Sequence, residues 1–285
     1  MRAFAYDFPF SFFTSGGAEM YGAIIGDIVG SIYEGNNIKT KDFDLFGRGC
    51  CFTDDTVMTC AVASALMIWK KSSKSLDLHQ IFVNEMQNLG RKYPNAGYGR
   101  NFQQWIMSGN PLPYGSYGNG SAMRVSPVGW VAESLEEALD LAKKSAEVSH
   151  NHPEGIKGAQ SVAGAISLAR IGKSKEEIKG YIEKEFYDLS FSLDDIRGTY
   201  TFDVSCQGSV PQAIVSFLES EDFEDTIKNS ISIGGDSDTI GAIAGSIGDA
   251  FYGVPSYLRE KASAYLPRDL TVIVEEFGFL INPLL

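Results

Sequence analysis

The chain has 285 residues, of which 44% are hydrophobic and 12% aromatic, so it is long enough to bury one large core. Its 24 Lys and Arg residues against 36 Asp and Glu residues give a net charge of −12, which argues against general nucleic-acid binding. The best apolar run, residues 21–33, is only thirteen residues long and carries Asp27 at its centre, so it does not fit a membrane span. We therefore expect one domain and no membrane partner.

The first nineteen residues differ from the rest of the chain. Residues 1–19 carry five phenylalanines, but Asp7 and Pro9 interrupt the apolar stretch that a secretory signal requires. Met20 is a plausible second start. We expect residues 1–19 to be an extension and residues 20–285 to form the domain.

Apolar residues recur with helical spacing along most of the chain, and alternating β-branched runs are scarce. This pattern predicts an all-α, single-domain orthogonal bundle of about a dozen or more helices. Segments 95–121 and 187–207 lack periodicity and are predicted as the main loops. The predicted helices are 22–34, 55–70, 77–92, 101–107, 134–148, 155–171, 174–186, 209–219, 222–233, 239–252, 255–264 and 268–278.

Two of the predicted helices are rich in glycine. Glycines at 22, 26 and 30 fall every fourth residue in the first helix, and glycines at 241, 245 and 248 mark a later one. A face of such small residues allows another backbone to approach closely. We expect these two helices to pack against each other at the centre of the fold.

Four cysteines occur, without the paired C-x-x-C spacing that is typical of a zinc site. Cys50 and Cys51 are adjacent and are poor partners for each other, while Cys60 and Cys206 stand alone. Reduced thiols and a cytoplasmic location are the expectation.

Acidic and hydroxyl side chains cluster where two predicted helices begin. Thr53, Asp54 and Asp55 precede one long apolar helix. The segment 234–239, with sequence GGDSDT, precedes the second glycine-rich helix, and Glu34 closes the first. Each cluster alone is typical of helix capping, because carboxylates favour the positive end of the helix dipole. Two such clusters in one chain also indicate a shared site.

If the two clusters converge, their carboxylates must be held against mutual repulsion. Two like charges about 4 Å apart repel by roughly 4 kcal/mol at an effective dielectric of 20. Bound cations would offset this repulsion, and a donor set made only of oxygen favours Mg²⁺ or Mn²⁺ over zinc. The number of carboxylates is sufficient for two ions.

These motifs, taken in order, resemble the ADP-ribosylglycohydrolase family. The match covers about residues 20–255 in five motifs: GDxxGxxxE from Gly26 to Glu34, TDDT from Thr53 to Thr56, GNGSAMRVSPVG from Gly118 to Gly129, SHxHPxGxxGA from Ser149 to Ala159, and GGDSDTIGAIAG from Gly234 to Gly245. The resemblance implies an all-helical fold with a central binuclear Mg²⁺ or Mn²⁺ site. It also implies hydrolysis of the bond between ADP-ribose and a modified acceptor.

The resemblance also assigns roles to particular residues. Glu34 matches a family residue close to the metals, which is proposed in some members as a gate or an acid/base group. His150 matches a residue beside bound ADP-ribose, whereas His152 has no assigned role. The family's phosphate and distal-ribose loop matches Gly118, Asn119, Gly120 and Ser121, and the family's metal ligands match Thr53, Asp54, Asp55, Asp236, Asp238 and Thr239.

The residue types fit this chemistry independently of the resemblance. Glycoside cleavage passes through an oxocarbenium-like state that nearby carboxylates stabilise, while one carboxylate activates water. We expect Asp54 or Asp55 to orient or deprotonate the water, with Glu34 as the competing candidate. The loop 115–121 can turn several N–H groups toward a diphosphate. Tyr114 and Tyr117 are candidates for stacking on adenine.

Two other functions remain open at the level of sequence. A phosphoester hydrolase would also suit paired hard metals, but with only three histidines the sequence cannot supply a histidine-rich set of H-D or D-x-H ligands. A catalytically inactive ADP-ribose binder, or a structural relative like the lens crystallins that resemble this family, is the second alternative. The acceptor itself could be arginine, serine, a nucleic-acid end or a small molecule.

Overall fold

A computed structural model describes residues 20–282, and within that range the protein is all-helical and forms a single domain. No strand occurs in the described range, where Gly118 and Ser205 form an isolated bridge. The all-α prediction is confirmed. The helices are α1 (Tyr21–Gly30), α2 (Asp54–Lys71), α3 (Leu78–Lys92), α4 (Arg100–Met107), α5 (Gly120–Met123), α6 (Ser126–Val131), α7 (Leu135–Glu147), α8 (Pro153–Arg170), α9 (Lys175–Glu185), α10 (Leu193–Arg197), α11 (Cys206–Leu218), α12 (Phe223–Ser232), α13 (Ser237–Tyr252), α14 (Ser256–Ser263) and α15 (Arg268–Ile281).

Three short helices, α5, α6 and α10, were not predicted, and two of them fall in or across segments predicted as loops. Each has six residues or fewer, too short for apolar periodicity to show. Helix α11 begins at Cys206, three residues earlier than predicted, because the Ser205 side chain caps it by accepting from the Gly208 N–H. Helix α1 ends at Gly30 rather than at residue 34.

Helices α1 and α13 pack antiparallel with their backbones almost in contact, as the glycine spacing predicted. A Cβ atom added at Gly26 would lie 2.0 Å from the Gly241 carbonyl oxygen, and one added at Gly22 would lie 2.1 Å from the Gly245 carbonyl oxygen. No side chain fits at such distances. This packing brings the end of α1 to the start of α13.

The remaining chain surrounds this central pair. All ten residues of α1 are buried, and α2 presents Val57, Met58 and Leu66 to the same core. The four cysteines are free thiols, three buried and Cys51 exposed, in agreement with the prediction. None of the helices in residues 20–282 is long and apolar enough to cross a membrane.

Candidate active site

The two predicted acidic clusters meet where α2 and α13 begin. The Thr239 hydroxyl of α13 donates to Asp55 Oδ2 of α2 over 3.2 Å. Carboxylate oxygens of Asp27, Asp55 and Asp238 lie within 4.8 Å of one another, and so do those of Glu34, Asp236 and Asp238. Asp238 belongs to both groups. The structure therefore brings together, in one place, carboxylates that are about 180 residues apart in the chain.

Asp27 organises the start of α2. Its Oδ2 accepts from the backbone N–H groups of Thr53, at 2.9 Å, and Thr56, at 3.0 Å. Its Oδ1 accepts from the Thr53 hydroxyl at 2.6 Å, and the Thr56 hydroxyl also donates to this carboxylate. A buried aspartate on the glycine-rich helix thus orients the TDDT segment.

Glu34 lies four residues beyond the end of α1, in an exposed segment at the mouth of the site. The side chain of Asn37 ties this segment to the second acidic cluster. Its amide donates to the carbonyls of Tyr33, at 2.6 Å, and Gly235, at 2.9 Å, and its oxygen accepts from the Gly235 N–H at 2.8 Å. No pattern in the sequence marked Asn37, because Gly235, its partner in the second acidic cluster, is almost 200 residues away.

The turn before α13 requires glycine. Gly234 and Gly235 have φ angles of 68° and 80°, in the region that disfavours other residues. A Cβ atom at Gly235 would also lie 2.3 Å from Tyr200 Cε1. This turn presents Asp236 and Asp238 to the site.

Burial and mutual repulsion make the acidic cluster hard to ionise. Burial first, and then the charge of Asp27, raises the pKa of Asp54 to about 8. Burial, and then the charge of Asp238, raises the pKa of Asp55 well above its ordinary value. Burial, and then the charge of Asp236, does the same to the pKa of Asp238. Partial burial and the charge of Asp236 also raise the pKa of Glu34. The cluster needs either protons or cations.

The donor set fits divalent cations. Asp55 Oδ1 is buried and has no hydrogen-bond partner among the described residues. Both groups of converging side chains contain only carboxylates, with the Thr53 and Thr239 hydroxyls beside Asp55. Oxygen-only sites of this kind suit Mg²⁺ and Mn²⁺. The orphaned oxygen of Asp55 is satisfied if a cation lies beside it.

The acidic cluster forms one end of a cavity of about 500 Å³. Gly118, Asn119 and Gly120 line another part of it, together with His150. The Asn119 amide donates to Asp236 Oδ2 over 2.7 Å, which joins this loop to the acidic cluster. A volume of this size is typical of sites for cofactor-sized ligands.

Ser121 is not brought to the cavity with the rest of its loop. Its side chain is fully buried, and its hydroxyl donates to the Gly155 carbonyl over 2.7 Å. The sequence predicted ligand binding by this residue, whereas the contact instead attaches the loop to α8. The small α5 turns Ser121 inward, and apolar periodicity could not reveal so short a helix.

The two histidines of the H-x-H motif have different surroundings. His150 is buried, lines the cavity and lies with Nδ1 2.8 Å from Ser149 Oγ. His152 caps α8, where its Nδ1 accepts from the Glu154 N–H over 3.1 Å. Neither histidine belongs to the acidic groups. Of the two candidate tyrosines, Tyr114 lines the cavity, whereas Tyr117 is exposed and contacts the His152 ring.

Several cavity-lining residues were not predicted from the sequence. Arg124 is fully buried in the cavity wall, and Phe102 packs beside it. Arg100 comes from the start of α4, while Phe202 and Val204 come from the loop before α11 and are half-exposed. A charged residue within the apolar run from Ala122 to Val131 was the signal that could have drawn attention to Arg124.

The structure is thus an all-helical protein with a cluster of carboxylates at one end of a cavity. Comparison with known sequences identifies the family to which it belongs. The family model described as ADP-ribosylglycohydrolase matches residues 18–278. The chain therefore belongs to the ADP-ribosylglycohydrolase family, as its motifs predicted.

Individual relatives agree with this assignment. The chain is 27% identical to ADP-ribosylhydrolase ARH3 of Gallus gallus, over 86% of this chain and 88% of the relative. It is 26% identical to human ADP-ribosylhydrolase ARH3, with 87% and 89% covered. It is 25% identical to ADP-ribosylarginine hydrolase Tri1 of Pseudomonas putida, with 82% and 70% covered. A solved structure described as an ADP-ribosylglycohydrolase-related protein complex shares the fold, with a TM-score of 0.65 at 22% identity over 93% of this chain and 94% of that one.

Proposed function

We propose that this protein is a metal-dependent hydrolase that cleaves the glycosidic bond between ADP-ribose and a modified acceptor. The observation that carries the proposal is the convergence of Asp55, Asp236 and Asp238 at one end of a cavity whose wall also contains Asn119 and His150. Family membership and the names of the relatives support the same activity.

The proposed metal ligands are the six residues with oxygen side chains at the two helix starts. When bound, two Mg²⁺ or Mn²⁺ ions would offset the carboxylate charge, orient ribose hydroxyls and acidify water. The ligands are Thr53, Asp54, Asp55, Asp236, Asp238 and Thr239.

The reaction requires one base and one route for a proton to the leaving group. Hydrolysis breaks the bond from the anomeric carbon to the acceptor and forms a bond to the water oxygen, while the acceptor gains a proton. Asp54 is half-buried and lines the cavity, so it is placed to take the proton from water. Asp55 is 2% exposed and suits cation binding better. Glu34, at the mouth, is the competing proton-transfer group.

The other end of the cavity suits the rest of the ligand. Gly118, Asn119 and Gly120 supply a turn against which a diphosphate and ribose would lie, and His150 supplies a ring nitrogen beside that turn. Because the chain carries a net charge of −12, these local donors, rather than overall charge, would hold the anion.

The test is an assay of ADP-ribose release from defined substrates. ADP-ribosylarginine, ADP-ribosylserine, an ADP-ribosylated nucleic-acid end and a small ADP-ribosylated metabolite are each incubated with Mg²⁺, Mn²⁺ or chelator. We expect metal-dependent release from at least one substrate, and its loss in Asp55→Asn but not in the surface control Asp140→Asn. Release of AMP would indicate cleavage of the diphosphate bond instead, and release of adenosine would indicate a phosphoester hydrolase. Thermal stabilisation by ADP-ribose without any turnover would indicate an inactive binder.

A further inference from the structure

Arg124 is a buried cation that has no acidic partner among residues 20–282. It is the largest fully buried side chain among the described residues, and its Nε and Nη1 atoms have no hydrogen-bond partner there. The ring of Phe102 lies 5.4 Å from its guanidinium carbon. Burying an unpaired guanidinium is costly, so its presence in the cavity wall calls for a reason.

The contacts that Arg124 does make lead to His150. Its Nη2 atom donates to the Ser145 carbonyl over 2.9 Å and to Ser149 Oγ over 3.0 Å. Ser149 Oγ in turn lies 2.8 Å from His150 Nδ1. The three side chains form a chain of hydrogen bonds that begins at the buried cation and ends at the cavity.

The direction of these hydrogen bonds follows from the donors. A guanidinium can only donate, so Ser149 Oγ accepts from Arg124 and keeps its own proton for another partner. If His150 Nδ1 carried a proton, the Ser149 hydroxyl would accept twice and its buried O–H would lack an acceptor. The satisfied arrangement has Ser149 donating to Nδ1. Neutral His150 then carries its proton on Nε2.

The Nε2 atom of His150 lies directly against the glycine loop in the cavity wall. It lies 3.1 Å from the position of a Cβ atom at Gly120 and 3.7 Å from that of one at Gly118. The described residues provide no hydrogen-bond partner for it. Burial, and then the charge of Arg124, lowers the pKa of His150 well below its usual value. The ring of Tyr114 lies beside it, with centroids 5.9 Å apart.

We propose that Arg124 and Ser149 are positioning residues that hold His150 as a neutral Nε2–H donor, aimed at an oxygen of ADP-ribose bound against Gly118 and Gly120. The inference rests on the proposed function for the identity of the ligand. A donor fixed before binding loses no rotational freedom when the ligand arrives, so the relay raises affinity without adding a contact.

The tautomer of His150 is measurable without any ligand. The sequence contains three histidines, at 79, 150 and 152, so two-bond ¹H–¹⁵N spectra of the labelled full-length chain resolve each ring, and His150→Gln assigns its signals. We expect His150 to be neutral and protonated on Nε2 at pH 7, and Ser149→Ala to give a mixture of tautomers. A wild-type ring protonated on Nδ1, or an unchanged tautomer in Ser149→Ala, overturns the proposal.

Matched variants separate the relay from general effects on folding. Within the described part of the chain the Ser145 hydroxyl bonds to the Ala142 carbonyl of its own helix over 3.0 Å and to nothing else. Ser145→Ala therefore removes a buried hydroxyl next to the relay without breaking it. Ser149→Thr keeps the hydroxyl. We expect both variants to retain the Nε2–H tautomer, and if Ser149→Ala does not fold, the wild-type spectrum and Ser149→Thr still decide the question.

Calorimetric titration with ADP-ribose then tests the role of the relay in binding. We expect Ser149→Ala to bind about five- to tenfold more weakly, and Ser145→Ala and Ser149→Thr to bind within about twofold of wild type. Equal binding by Ser149→Ala and wild type overturns the positioning role. A wild-type protein that binds no ADP-ribose contradicts the proposed function instead, and the tautomer measurement shows whether the relay exists in that case.

Discussion

The carboxylates of the site differ in what surrounds each of them, and this difference separates metal binding from proton transfer. Asp238 belongs to both acidic groups and is 4% exposed. Glu34 lies in an exposed segment and reaches only one group. Substitutions at these two positions should therefore produce different defects.

Asp238→Ala should weaken metal affinity and lose activity that excess Mn²⁺ or Mg²⁺ partly restores. The reason is that a shared carboxylate is removed while Asp236 and Asp55 remain to hold a cation. Isothermal titration with each metal and assays over a range of metal concentrations measure both effects. Unchanged metal affinity in this variant would remove Asp238 from the proposed ligand set.

Glu34→Gln should leave ADP-ribose affinity nearly unchanged and lower turnover by about 10²–10⁴-fold, because the change keeps the shape of the side chain and removes its ability to transfer a proton. Added metal should not restore the rate. Single-turnover kinetics beside calorimetric titration separate the two quantities. Near-normal turnover would assign proton transfer to Asp54 or Asp55. The control is Glu85→Gln in α3, where the carboxylate accepts from the Ser64 hydroxyl and lines no part of the cavity.

At the scale of elements, the position of the site depends on how closely α1 and α13 pack. Gly30 lies against the start of α13, where an added Cβ atom would be 2.4 Å from Asp238 Cα. The N–H of Gly22 at the other end donates to Asp249 Oδ2 over 2.9 Å. The two helices are thus aligned at both ends, and a change in their separation would move Asp238 relative to Asp55.

Gly26→Ala should destabilise the protein by at least about 1–3 kcal/mol, because the new methyl group would overlap the backbone of Gly241. Gly180→Ala is the matched control. It lies within α9, where an added Cβ atom meets nothing within 4 Å, so this change should stabilise the helix by about 0.5–1 kcal/mol. Chemical denaturation measures both changes. Equal stability of the Gly26 variant and wild type would contradict the close packing.

At the scale of the whole molecule, the buried acidic cluster links stability to pH and to metal. A carboxyl group whose pKa is raised by folding binds its proton more tightly in the folded state than in the unfolded state. Its contribution to stability is present at low pH and is lost as the pH rises from about 4, the unfolded value, through the folded value. For Asp54 the folded value is about 8.

We therefore expect Mg²⁺ or Mn²⁺ to raise the melting temperature by several degrees at pH 8 and by much less at pH 5, where protons already neutralise the cluster. Scanning calorimetry with metal and with chelator, at both pH values, measures this increment. In Asp238→Asn, the rise in melting temperature on adding metal should differ less between pH 8 and pH 5 than it does in the wild type. If metal raised the melting temperature equally at both pH values, the ions would bind outside the acidic cluster.

Removing residues 1–19 should leave activity intact, although these residues lie outside the described range. The family match begins at residue 18, and every proposed site residue follows it. The rates of ADP-ribose release by the full chain and by residues 20–285 test this expectation directly. A shortened chain that folds, as judged by circular dichroism, but releases no ADP-ribose would assign a role to the extension.

The sequence by itself determined the all-helical class, the packing of the glycine-rich helices and the residue types of the acidic site. Helical periodicity and the spacing of glycines at every fourth residue are local patterns, so they can be recognised in the sequence without knowledge of the tertiary structure. The convergence of the two distant clusters could also be predicted, because carboxylates at two helix starts can share one site when cations offset their mutual repulsion. The five ordered motifs also indicated the family, which the family model then matched.

The tertiary structure alone decided which side chains support the site. Asn37 holds the segment of Glu34 against Gly235, and Arg124 reaches His150 through Ser149. Ser121 turns away from the cavity although its neighbours line it. Each of these outcomes depends on hydrogen bonds between residues that are 25 to 198 positions apart, or on a helix of four residues. Local sequence patterns do not predict such partners, because the direction of a polar side chain depends on the donors and acceptors that folding brings beside it.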